Sequence, residues 1–207
     1  MAVVSNGTTM ADAGAFSASL GSMVHIKTLT ASSSATLSFV HGSASVVLDS
    51  TYPIYLFKFF NIHPATDATL FQMNGSIDAG SNYNVTKTTT VWYAIHRESE
   101  TTPVLSYDAG SDLAQSTAFS RIVGAGNTGN DNDQCCAGEM KLFSPSSTTF
   151  VKHFIATGLT IADSDYQAPG YIAGYFNDTN DVDAIQFKMN SGNIDSGTIK
   201  LYGIKDS

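Results

Sequence analysis

The sequence predicts an all-β protein, and three observations predict it. Apolar residues recur with period two or in short β-rich runs bounded by Gly, Asn, Asp and Ser, while helical periodicity is nearly absent. The 207 residues fit one of the larger all-β domains, and no stretch reads as an interdomain linker. Charged residues make up only 14% of the chain, against roughly 25% in ordinary soluble domains. Ser and Thr fill the difference and suit strands, turns and an uncharged polar surface. The expected architecture is a single β-sandwich of jelly-roll type with about ten strands at sandwich spacing and an extended N-terminal arm.

Residues 1–24 are small and polar, and before Asp49 the only charged residues are Asp12 and Lys27. They read as the arm, ordered only against a neighbour. Residues 25–207 form the sandwich. Its first strands are expected at ATLSFV (35–40) and ASVVLD (44–49), joined by a His41-Gly42 turn. YPIYLFKFFNI (52–62) is aromatic on both faces, as for a central strand buried on both sides, and His63-Pro64 ends it. ATLFQMN (68–74) and VTKTTTVWYAI (85–95), which carries the sole Trp, follow. DLAQSTAFSRIVGAGN (112–127) reads as a short helix with Asp112 as N-cap and Gly124 near its end, then a mobile loop over 124–134. Strands resume at 139–143, 150–156, 170–176, 182–189 and 197–203. The wording FQMNGSIDAGS near residue 71 returns as FKMNSGNIDSG at 187, which predicts two similar hairpin corners.

Composition excludes several function classes. A net charge of −8 with only ten Lys and Arg, and no basic run, lacks the cationic footprint of a nucleic-acid binder. No apolar run approaches the ~20 residues of a membrane-spanning helix. The N-terminus lacks the basic start and continuous apolar core of a Sec signal. Cys135 and Cys136 are adjacent, so they read as reduced thiols in a cytoplasmic assembly rather than a disulfide framework.

Candidate chemistry is sparse. Asn127, Asn130, Asp131, Asn132 and Asp133 form one oxygen-rich loop, and Asn177, Asp178, Asp181 and Asp183 another. Both could offer calcium ligands, but neither has EF-hand order, and Asx-rich turns explain them better. Glu98 and Glu100 share a strand side and so cannot flank a glycosidic bond from two faces. The chain has no G-x-S-x-G elbow, zinc spacing or P-loop. No enzyme activity and no cofactor are expected. The aromatics of DYQAPGYIAGYF remain: Tyr166, Tyr171, Tyr175 and Phe176 are candidates for an interface or a glycan contact, weighed against ordinary packing.

SGNIDSGTIKLYGIK (191–205), FKFFNIHPATD (57–67), NVTKTTTVWYAIH (84–96), DLAQSTAFSR (112–121) and LFSPSSTTFVKHFIAT (142–157) resemble, in that order, segments of virion structural proteins of tailed phages, especially marine and cyanobacterial ones. The likeness covers roughly residues 50–205. It implies a virion component of β-sandwich architecture and supplies no catalytic residue. The expected role is a capsid decoration or cement protein, trimeric, seated on the major capsid protein and assembled in the host cytoplasm. The alternative is a tail- or head-fibre domain that binds host-surface glycan.

Overall fold

The computed structural model describes residues 22–205 except 98, 102 and 125, and in the first 21 residues only the strands Val3–Ser5 (β1), Thr8–Asp12 (β2) and Ala15–Phe16 (β3). These three pair as a small antiparallel sheet of their own. The rest of the expected arm before Ser22 lies outside the described residues.

In chain order the remaining strands are β4 (Met23–Thr30), β5 (Leu37–Val40), β6 (Ile54–Pro64), β7 (Phe71–Ser76), β8 (Lys87–Arg97), β9 (Val104–Tyr107), β10 (Leu113–Ser116), β11 (Ser120–Arg121), β12 (Cys136–Phe143), β13 (Lys152–Ile161), β14 (Tyr166–Phe176), β15 (Ala184–Met189) and β16 (Ile194–Ile204). The all-β expectation holds: the described residues contain no helix. These strands form two antiparallel sheets. The larger runs β10-β8-β14-β13-β12-β6-β16-β4, with β9 also against β8; the smaller runs β11-β7-β15-β5. Thirteen strands stand where about ten were expected, because β4, β9, β10 and β11 were not read as strands.

The chain alternates between the sheets at β4→β5→β6→β7 and again at β11→β12 and β15→β16. Strands β8–β10 and β13–β14 interrupt this alternation, and all five widen the larger sheet. The core lies between the sheets. Tyr55, Phe57 and Phe59 of β6 point inward, and Phe57 and Phe59 meet Phe39, Phe71 and Phe187 of the smaller sheet. Apolar burial of this kind is the main driving force, at about 25 cal/mol per Å². β6 is central, as expected, but it is not buried on both sides: Phe60 stands exposed on the outer face.

Three local expectations are corrected. ASVVLD is not a strand. Ala44 and Ser45 both have left-handed backbone (φ 47° and 67°), which breaks a ladder, yet Val46 and Leu48 are buried in the core. The backbone N–H of Leu48 donates to His41 Nδ1 at 3.1 Å instead. Residues 112–127 hold β10 and β11 rather than a helix. Gln115 has φ 48°, and the Asp112 carboxylate accepts from Tyr107 Oη rather than capping. The following loop is tied down, since Thr128 exchanges backbone hydrogen bonds with Thr69 at 2.7 and 3.1 Å.

The third correction concerns the repeated wording, which marks no hairpins. FQM and FKM lie on β7 and β15, neighbours in the smaller sheet, where Phe71 pairs with Met189 and Met73 with Phe187. Each strand then crosses to the larger sheet. The asparagines that close the two runs, Asn74 and Asn190, serve those exits. Asn74 Nδ2 donates to the carbonyls of Tyr83 and Thr117 at 2.8 and 2.9 Å, and Asn190 Oδ1 accepts from Leu70 N at 2.8 Å.

Candidate interface on the outer face of the larger sheet

Strands β8, β13 and β14 alternate strictly. Their inward side chains, among them Val91, Phe154, Ala156, Ile172 and Phe176, are buried. The chain around Gly124 covers part of that inner side: a Cβ on Gly170 would meet Gly124 Cα at 2.7 Å. The outer side is left open.

Pairing across strands builds that outer side in rows. Tyr107 lies opposite Trp92, Trp92 opposite Tyr171, and Tyr171 opposite Thr157. The rings of Trp92 and Tyr171 stack at 4.0 Å and 8°, although each remains nearly half exposed (44% and 45%). Such pairs gain about 0.5–1.5 kcal/mol beyond area burial. Together they form a ridge. Tyr107 donates to Asp112 Oδ2 at 2.5 Å, and that neighbouring carboxylate raises the phenol's pKa. Two residues along, Thr90, Ala173 and exposed Ile155 form a lower row; beyond it stand Thr88, Tyr175, His153 and Phe143. The small side chains of these rows leave an apolar groove of about 680 Å³ beside the ridge.

Of the four aromatics named from the sequence, the structure brings two to this face. Tyr171 forms the ridge. Tyr175 borders the groove and its Oη accepts from Gln115 Nε2 at 3.3 Å. Tyr166 points to the other side at the strand's end, under the Arg97 guanidinium at 4.9 Å, and burial raises its phenol pKa. Phe176 is fully buried against Phe154 and belongs to the core. Sequence reasoning missed Trp92, Leu105, Tyr107, Ile155 and Leu159. The period-two run Thr88-Thr90-Trp92 carried a signal for Trp92, since its polar members mark the solvent side.

Charge divides the face. On β9, β8, β14 and β13, the outward positions between 88 and 96 and their partners carry no Asp, Glu, Lys or Arg. The other half carries Lys58, Lys141 and Lys200, with Glu139 placed 3.7 Å from Lys58 and 3.6 Å from Lys141.

The remaining candidates resolve into structural roles. In the 177–183 loop, Lys152 Nζ donates to the carbonyl of Asp178 at 3.0 Å and to that of Asn180, so an ammonium occupies the place a cation would take. In the 127–133 loop, the Gln134 amide accepts from Asp131 N and donates to Asp165. Among the described residues no three His, Cys, Asp or Glu converge for a metal. Glu98 lies outside the described residues, so the Glu98–Glu100 pair has no geometry to report. Cys136 is buried, and Cys135 is half-buried. Desolvation pushes both thiols up, away from the reactive thiolate.

No family model, curated protein or solved structure matches this chain.

Proposed function

We propose that this chain is a non-enzymatic structural protein of a virus particle: a capsid decoration or cement protein on the outside of a tailed-phage head. It works as a homo-oligomer with a trimeric unit, seated on the major capsid protein and assembled in the host cytoplasm. The observation that carries the reading is strand order. Removing the five added strands leaves β4-β16-β6-β12 facing β5-β15-β7-β11, the order of two interlocked Greek keys. That order supports the jelly-roll reading, an architecture shared by viral capsid and lectin domains. It joins the resemblance of the sequence segments to phage virion proteins, and the link from fold to role is one of analogy. A surface this poor in charge favours subunit packing, because few ions must be desolvated. An arm can lash a subunit to its neighbour by adding a strand.

Deleting residues 1–22 leaves β4 whole. The truncated protein is expected to fold with unchanged circular dichroism and to lose incorporation into particles at least tenfold, measured by quantitative mass spectrometry of purified virions. Normal incorporation would count against the reading, and so would the chain's absence from intact virions.

A second reading, a fibre domain that binds host glycan, is favoured by the exposed rings of Tyr107, Trp92 and Tyr171 in one row. Glycan-array binding lost in Trp92→Ala or Tyr171→Ala would select it over the decoration role.

A further inference from the structure

We propose that the uncharged half of the outer face pairs with the same surface of a second copy about a two-fold axis. The inference goes beyond the virion reading and stands independently of it.

The first ground is self-complementarity. A ridge (Trp92 stacked on Tyr171) and an apolar groove (bordered by Phe143, His153 and Tyr175) lie side by side on one sheet face, the row of Ala173 lining the groove's edge next to the ridge. When two identical faces meet head to head, the ridge of each copy enters the groove of the other. This reciprocal exchange defines an isologous contact. A heterologous ring would need ridge and groove on different sides of the subunit, and here both share one side.

The second ground is charge. A two-fold contact sets each residue near its own copy or its near neighbours, so a patch of one charge sign repels itself. The lysine-bearing half, where Lys58, Lys141 and Lys200 outnumber the single Glu139, is disfavoured because its excess positive charge repels itself and its ions must be desolvated. The half built on β9, β8, β14 and β13 offers no ionised Asp, Glu, Lys or Arg to desolvate or to repel. It offers Trp92, Tyr171, Ile155 and Leu105, the last 75% exposed, while Tyr107 and the Asp112 carboxylate it bonds stand at its rim. Aromatic enrichment with charge depletion is the compositional mark of interface centres.

The third ground is area. Strands lie ~4.8 Å apart and rise ~3.3 Å per residue, so three strands over the length of residues 88–96 cover about 14 Å by about 26 Å, and the four residues of β9 add about 5 Å by about 13 Å. That is about 440 Å² per copy and about 900 Å² for the pair, the size of a weak, transient contact. Area alone does not set affinity, but a contact this small is expected to be weak and to exchange with concentration. Four of the five strands added to the eight-strand frame, β8, β9, β13 and β14, build this surface, while their inner side is covered in part by the chain around Gly124.

The test is sedimentation velocity and native mass spectrometry of the full chain from about 1 to about 200 µM, a range that reveals weak, micromolar-class association. The wild type is expected to contain an even number of copies at the upper end. Ile155→Lys, on the exposed face, is expected to halve that mass with an unchanged melting temperature, whether the species is a dimer or a pair of trimers. Lys200→Ala, outside the patch, is expected to leave it unchanged. Ala173→Cys places a thiol beside the axis and is expected to form an intermolecular disulfide linking position 173 to itself, found by peptide mapping. If Ile155→Lys fails to fold, this cross-link decides. A wild type that stays monomeric or holds an odd number of copies throughout overturns the proposal. So does a mass indifferent to Ile155→Lys, or an absent 173–173 link.

Discussion

Phe187→Ala is expected to cost about 4–5 kcal/mol of folding stability, the upper part of the range for burying an alanine where a phenylalanine belongs. Phe187 has no exposed surface. Its ring stands 5.3 Å from both Phe57 and Phe59 of the larger sheet, and 6.1 and 5.8 Å from Phe39 and Phe71 of its own. It therefore joins the two layers, with edge-on contacts to three rings and a stacked one to Phe71. Truncation opens a void between sheets whose backbones are fixed by their ladders, so the site can collapse only in part. Domains of this kind are stable by about 5–15 kcal/mol in total, so the variant should be marginal at 37 °C. Urea denaturation of the wild type and variant measures the difference, with Phe150→Ala as control, since Phe150 is 72% exposed and its loss should change little. A cost below about 2 kcal/mol for Phe187→Ala would mean that the inter-sheet aromatic cluster does not hold the layers together.

That cluster was legible in the sequence and its topology was not. Alternation alone places Phe187 on a buried strand face, because Gln186 and Lys188 flank it. The same local signal failed where pairing is non-local. FQMN and FKMN read as two hairpins because Asn, Gly and Ser favour turns, yet the two strands pair with each other across more than a hundred residues of chain. ASVVLD failed for a different reason. Burial and strand formation usually coincide, but Val46 and Leu48 reach the core from a loop bent by two left-handed residues. At the candidate interface, Tyr171 and Tyr175 were legible as β-face aromatics. Parity also separates them from Phe176 once one neighbour is known to point inward. Trp92 joins Tyr171 only through the register of β8 against β14, which no local pattern specifies. The missed strands β4 and β10 carry mixed His, Lys, Gln and Thr. Edge strands tolerate such residues because one side of the ladder faces solvent.

Lys87→Met is expected to remove a pH dependence of stability that the wild type carries. Lys87 is fully buried where the added strands meet the eight-strand frame. Its Nζ donates to Asn74 Oδ1 at 2.8 Å and to the Val85 carbonyl at 3.3 Å, and among the described residues no carboxylate pairs with it. Burial pushes its pKa from 10.5 down to about 7. Between those two values the unfolded chain binds a proton that the folded chain does not, so stability from this group rises with pH across the window. The slope approaches about 1.4 kcal/mol per pH unit. Below about 7 both states are protonated and the folded state bears the whole desolvation cost; above about 10.5 both are neutral and the cost is gone. Methionine has a similar length and no charge, and Asn74 Oδ1 keeps the Gly75 N–H at 2.9 Å as a donor. The variant should therefore be more stable than the wild type at pH 6, with the gap closing as pH rises towards 10. Taking the difference between the two proteins cancels every other group that titrates in the window. Denaturation series at four or five pH values measure it, and parallel curves would show that Lys87 is charged in the fold throughout and that its two acceptors outweigh its burial.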